Sequence, residues 1–215
     1  MRRTTAFSAP LAALAFASSS IPARAADEDV QLWITESTSA PLSSAVQGTL
    51  DLSQRFRENG DQLLSRGTVE LTLSGVAVVG GGAAYVSTIG SADEIRPHQQ
   101  LTLTVGPLTL RTRAEERFFE NAQRIEFRLR QRIGTTIPVS QDLKAVLAGE
   151  LLYIARSQNS GQSAHVDQWR AQATIVRRLG DTLEGTLGYL AILSPRNGGP
   201  DRLSHVAQVA LTLRR

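Results

Sequence analysis

The chain has 215 residues, 41% of them hydrophobic and 5% aromatic, with three histidines and no cysteine. That length suits one domain or two small ones. The missing cysteine excludes a disulfide scaffold, thiolate metal sites and cysteine nucleophiles, three histidines argue against a histidine-built metal centre, and the formal charge is only +3.

The first predicted element is a targeting segment. Arg2 and Arg3 form a positive start, an Ala-rich apolar stretch runs from Ala6 to Ala17, and Ile21-Pro22-Ala23-Arg24-Ala25 ends in an Ala-x-Ala pattern. This predicts a secretory signal peptide over residues 1–25, followed by a single domain over 26–215. The stretch is short for a membrane anchor and contains Pro10. Cleavage would leave 20 basic and 20 acidic side chains. A nucleic-acid partner needs a basic surplus, so none is expected. No later segment is apolar enough for a transmembrane helix.

The rest of the chain has period two. In 45–56, Val46, Leu50, Leu52 and Phe56 share one face, and Gln47, Thr49, Asp51, Ser53 and Arg55 share the other. Such alternation marks a strand with one apolar and one polar side. Further strands are predicted over 63–73, 76–87, 97–105, 108–118, 123–133, 143–154, 165–178, 183–192 and 202–213, making ten. The segment 30–38 resembles an eleventh. Gly80-Gly81-Gly82 lacks the Lys-Ser/Thr or the third spaced glycine of a phosphate loop, and reads as a thin, bendable strand.

The links alternate as well. Ser74-Gly75, Gly106-Pro107 and Gly180-Asp181 are short, while 88–96, 155–164 and 193–201 are longer and polar. The 134–142 link is the exception, being long where a short turn is due. Short turns at one end and long loops at the other describe a transmembrane β-barrel. The expected fold is therefore all-β, an antiparallel up-and-down barrel of ten strands, with twelve or eight as alternatives, because bacterial single-chain barrels have even counts. A lipocalin-like soluble barrel or a sandwich would show the same period. The basic side chains favour the transmembrane form, being 22 Arg and only Lys144. Arg suits bidentate pairing with carboxylates in a crowded interior.

The sharpest local feature is a charge ladder. With 108–118 and 123–133 as a hairpin, the inward set is Arg111, Arg113, Glu115 and Arg117 on one strand, and Arg124, Glu126, Arg128, Arg130 and Arg132 on the other. One register sets Glu115 against Arg128 and Arg117 against Glu126. A shift by two brings like charges together. Asp51, Glu70, Glu150 and Glu184 lie on polar faces of other strands and could project toward the ladder. The ladder reads first as a salt-bridge plug in a narrow lumen, and second as an anion-attracting surface.

An enzyme would have to use the few histidines. Ser204-His205, and His165 with Asp167, can be arranged into Ser/His/acid sets, but His205 shares a face with Leu203, Val209 and Leu211, and His98 and His165 read as lying near loop ends. No catalytic, cofactor-binding or metal-ligating residue is assigned, and no cofactor is expected.

Several segments resemble the DUF2490 family of uncharacterised bacterial outer-membrane-type proteins. They are Asp29-Val-Gln-Leu-Trp33-Ile-Thr-Glu36, Leu50-Asp-Leu-Ser-Gln-Arg55-Phe56, His98-Gln-Gln-Leu101, the run Gly106 to Phe118 with its Arg-x-Glu-x-Arg-Phe core, and Arg124-Ile-Glu-Phe-Arg128-Leu-Arg130. The resemblance implies an outer-membrane β-barrel and supplies no activity, substrate or catalytic residue. One departure is the ending Leu211-Thr212-Leu213-Arg214-Arg215, which lacks the aromatic residue that barrel insertion machinery reads.

The resulting expectation is a non-enzymatic, monomeric outer-membrane barrel with a charge-plugged lumen, whose partners are outer-membrane lipid and the insertion machinery. The alternatives are a small channel for anionic solutes, an outer-membrane lipid hydrolase and a soluble periplasmic binding module.

Overall fold

The computed structural model describes residues 26–215; the expected signal peptide lies outside the described residues. Eleven strands follow in order: β1 (Asp27–Pro41), β2 (Val46–Phe56), β3 (Gln62–Ser74), β4 (Ala77–Thr88), β5 (Glu94–Val105), β6 (Leu108–Phe119), β7 (Glu126–Pro138), β8 (Leu143–Arg156), β9 (His165–Arg178), β10 (Leu183–Ser194) and β11 (Arg202–Arg214). Each strand pairs with its chain neighbours, and β1 pairs with β11 to close the barrel.

The strand count corrects the expected ten, and equally the twelve or eight. The segment around 30–38, which resembles an eleventh strand in the sequence, is part of the barrel wall. It is the core of β1, and it lies parallel to β11, with Trp33 beside Gln208 and Thr35 beside Ala210. The remaining pairs are antiparallel. An odd number of alternating strands must bring first and last together in the same direction. The even-count rule misled because it assumes that both ends of the chain lie on one side.

The links divide cleanly by end. One end carries 42–45, 75–76, 106–107, 139–142 and 179–182, and the other carries 57–61, 89–93, 120–125, 157–164 and 195–201. The link expected over 134–142 shrinks because β7 runs on to Pro138. β1 starts at the long-loop end and β11 finishes at the short-turn end.

The alternation sets which way each residue points. Val30, Leu32, Ile34, Leu50, Leu52 and Leu187 face outward and are exposed, Val30 at 79%. Asp29, Trp33, Ser53, Glu115 and Arg128 face inward and are buried. A soluble barrel would turn its apolar face inward, whereas here that face forms the outer wall. This is the pattern of transmembrane β-strands, with a lipid-compatible exterior, a polar lumen and no free sheet edge.

The Gly-rich strand β4 has a positional role. Gly80 lies between Glu70 of β3 and Gln100 of β5, and Gly82 lies between Thr68 and His98. Without side chains at those positions, Gln100 Nε2 reaches over β4 to donate to Glu70 Oε1 at 2.7 Å, and His98 Nε2 comes within 3.4 Å of the Thr68 hydroxyl. A Cβ on Gly82 would lie 2.0 Å from the Gly67 carbonyl oxygen. The triplet thus serves close strand packing and cross-strand bonding.

Candidate functional site in the barrel lumen

β6 and β7 pair with Glu115 opposite Arg128 and Arg117 opposite Glu126. That is the register in which opposite charges meet. Inward side chains on successive strands then stack into rows. One row runs Arg111, Arg132, Glu150, Arg170 across β6 to β9. The next begins with Gln100, Arg113 and Arg130.

Two glutamates organise these rows. Glu115, 1% exposed, accepts from Arg128 Nε at 2.8 Å and Nη2 at 2.6 Å, and from Arg130 Nη1 at 2.9 Å. Arg113 stands 3.7 Å from it. Glu150 accepts from Arg130 Nη2 at 2.8 Å and from Arg111 Nη2 at 3.3 Å, with Arg170 at 3.7 Å. Arg130 therefore bridges both carboxylates. Charge-assisted bonds of this kind are short and directional, and arginine's fixed fork allows one side chain to hold two acids.

A second cluster lies toward the long loops. Glu94 accepts from Arg96 at 2.8 and 2.7 Å and from Arg117 Nε at 2.5 Å, and Arg117 Nη1 also donates to Glu126. Arg128 Nη1 reaches Asp167 at 3.2 Å. On the wall formed by β1, β2 and β3, Arg66 donates twice to Asp51 at 2.9 and 2.6 Å, and the Arg55 guanidinium lies 4.0 Å over the Trp33 ring. Buried Trp33, Leu190, Ile192 and Val206 form an apolar patch on the same inner surface.

The structure brings together Arg111, Arg113, Glu115, Arg117, Arg128, Arg130 and Arg132 around one cavity, with Glu126 bound to Arg117. It does not bring Arg124 there. β7 begins at Glu126, two residues beyond it, after a turn in which Asn121 takes a positive φ of 63°. Arg124 instead donates to the Ser157 carbonyl at 3.0 and 2.7 Å, tying two long loops together.

The sequence reading missed Glu94, Arg96 and His98 on β5, Arg170 on β9, and Asp29 and Trp33 on β1. His98 is buried in mid-strand rather than near a loop end. The predicted strand begins at 97, three residues later than β5, so Glu94 and Arg96 fell in the expected 88–96 link and His98 fell near its end.

The Ser/His/acid sets do not assemble. Ser204 is buried in the lumen, donating to Asp29 Oδ2 at 3.0 Å, while His205 points outward to the Tyr189 hydroxyl at 2.6 Å. His165 Nδ1 meets the Ser163 carbonyl at 2.9 Å, and Asp167 serves Arg128. Among the described residues, no group of three or more His, Asp or Glu could hold a metal ion.

A family model described as a protein of unknown function, DUF2490, matches residues 30–203. The chain is also 25% identical over 203 residues to an uncharacterised protein of Methylorubrum extorquens, covering 87% of this chain and 88% of that protein.

Proposed function

This chain belongs to the DUF2490 family, and on that premise we propose that it is a non-enzymatic, monomeric barrel of the bacterial outer membrane whose lumen is closed by an arginine–carboxylate network. The observation that carries the reading is the pair of buried acceptors Glu115 and Glu150, joined through Arg130, which cross-link β6, β7 and β8 inside the barrel. On this reading, side chains locked to one another across the lumen narrow the water path that solutes would need. The outward apolar wall supports residence among lipids, and the outer membrane is where closed barrels with short turns at one end reside. The Ser204-His205 set raised by the sequence does not assemble, since Ser204 donates to Asp29 in the lumen while His205 points outward, and this favours a structural role over lipid hydrolysis.

Planar-bilayer recording tests the closed lumen. The barrel is expected to give no large, steady conductance, and a reproducible open state of porin size would overturn the reading. Fractionation of a Gram-negative host with carbonate washing tests the location. The protein should stay with outer membranes, and its release as a soluble monomer would contradict the assignment.

A further inference from the structure

The cross-linked side chains do not fill the lumen. It holds a partly open cavity of about 480 Å³, lined by twelve arginines and only four carboxylates. Glu94, Glu126 and Asp167 stand behind Arg96, Arg117 and Arg128 and leave the surplus in place. Eleven strands give a wider interior than eight, so room remains after the side chains have packed.

Among the described residues, three of the lining arginines, Arg55, Arg57 and Arg132, make no ion pair, and Arg132 lies toward the short-turn end beside Arg111 and Arg113, whose own acid contacts are long, at 3.3 and 3.7 Å. Arg132 donates to the neutral amide of Gln172 at 2.7 Å and, among the described residues, makes no ion pair. Arg113 gives Nε and Nη2 to the Gln100 amide oxygen at 2.9 and 2.6 Å, and Arg111 has one long bond to Glu150 at 3.3 Å. Arg111 and Arg132 are direct partners across β6 and β7, so two like charges face each other. Such a pair opposes folding. Gln172 and Gln100 thus orient Arg132 and Arg113 without adding negative charge, and only the longer contacts of Arg111 to Glu150 and of Arg113 to Glu115 offset the cluster. Arg55, on the wall of the same cavity, has a buried Nε with no acceptor at all.

We propose that Arg111, Arg113 and Arg132 form a binding site for a small, multiply charged oxyanion of the phosphate or phosphomonoester class. Guanidinium forks match the oxygens of a phosphate two at a time, and preorganisation by Gln100 and Gln172 removes part of the ordering cost. The volume suits a compact solute, since ligand cavities span roughly 300–1,000 Å³. This inference rests on the closed-lumen reading, because an open water column would screen the cluster.

The test is calorimetric titration of the detergent-folded barrel with inorganic pyrophosphate, and separately with dihexanoyl phosphatidic acid. Saturable binding of pyrophosphate is expected, weakened about tenfold or more by Arg132→Gln. Saturation by the phosphatidic acid alone would place the same site under a lipid headgroup. Binding of neither would overturn the proposal, as would binding that Arg111→Gln and Arg132→Gln leave unchanged. Stability supplies a second arm. Without anion, Arg132→Gln should unfold at the same or higher urea than the parent, because a repulsive pair is relieved. A clear loss of stability would assign Arg132 to the structural network and overturn the site. Failure of the closed lumen is distinguishable, as it appears in conductance and not in these titrations.

Discussion

Glu115 lies directly opposite Arg128 across the β6–β7 pair, and one of its oxygens accepts two of that arginine's N–H groups, at 2.8 and 2.6 Å. Its other oxygen holds Arg130. One buried carboxylate thus neutralises two arginines and stands within reach of a third, Arg113. Removing a charge from such a cluster leaves the cations buried and uncompensated, whereas replacing the whole cluster would not.

Glu115→Gln should therefore destabilise the barrel by roughly 3–5 kcal/mol. Glu126→Gln should cost about 1–3 kcal/mol, since Arg117 keeps Glu94 as a second acceptor. Arg66→Gln, which removes one half of a partly exposed pair with Asp51, should cost roughly 1–2 kcal/mol. Urea unfolding of lipid- or detergent-folded protein measures all three. A Glu115→Gln change below about 1 kcal/mol would mean that water reaches the cluster freely and that the network does not hold the lumen.

The glycines of β4 make a separate prediction. Gly82→Ala places a methyl group against the Gly67 backbone, which cannot move without parting β3 from β4. Overpacking of this kind costs about 1–3 kcal/mol. At Gly80 the new methyl would meet Glu70 Cγ at 2.9 Å, a side chain that can swing away at the expense of its bond to Gln100. Gly80→Ala should therefore be the milder change, and it should free Arg113 by loosening Gln100. Urea midpoints that rank the two variants in the opposite order would show that β4 is not held by close backbone packing.

Much of this arrangement was legible in the chain, for a physical reason. Inside and outside of a barrel differ in polarity at every residue, so a period of two fixes facing without any tertiary knowledge. Hairpin neighbours are also adjacent in sequence, so the Glu115–Arg128 register could be chosen on charge alone. Two things resisted. β1 carries the same alternation, with Val30, Leu32 and Ile34 outward, but its partner is β11, some 170 residues away in the chain; nothing local encodes that pairing. The row from Arg111 to Arg170 depends on the registers of three successive strand pairs, and the β8–β9 pair carries a bulge between its long loop and Glu150 that shifts the count by one residue. Glu150 was visible as an inward acid able to reach the ladder, where it meets Arg111 and Arg130, but its third partner Arg170 was not.

The closing pair gives the final prediction, and the native chain suits it because it has no cysteine. In the parallel register Leu32 stands beside Ala207, and both face outward. Adjacent strands lie about 4.7–4.9 Å apart, within the Cα separation of roughly 4.4–6.8 Å that a disulfide needs. The double variant Leu32→Cys with Ala207→Cys should form an intramolecular crosslink on mild oxidation, and the crosslinked protein should run faster on a denaturing gel. Pairing Leu32→Cys with a cysteine at Leu213 instead should not crosslink, because register places Leu213 beside Thr38, six residues further along β1. An even-stranded barrel with β1 outside the wall would leave both pairs unlinked. An antiparallel closure would bring Leu32 to a different level of β11 and could not favour Ala207 in the same way. Crosslinking confined to the first pair is thus the outcome that eleven strands and a parallel seam require.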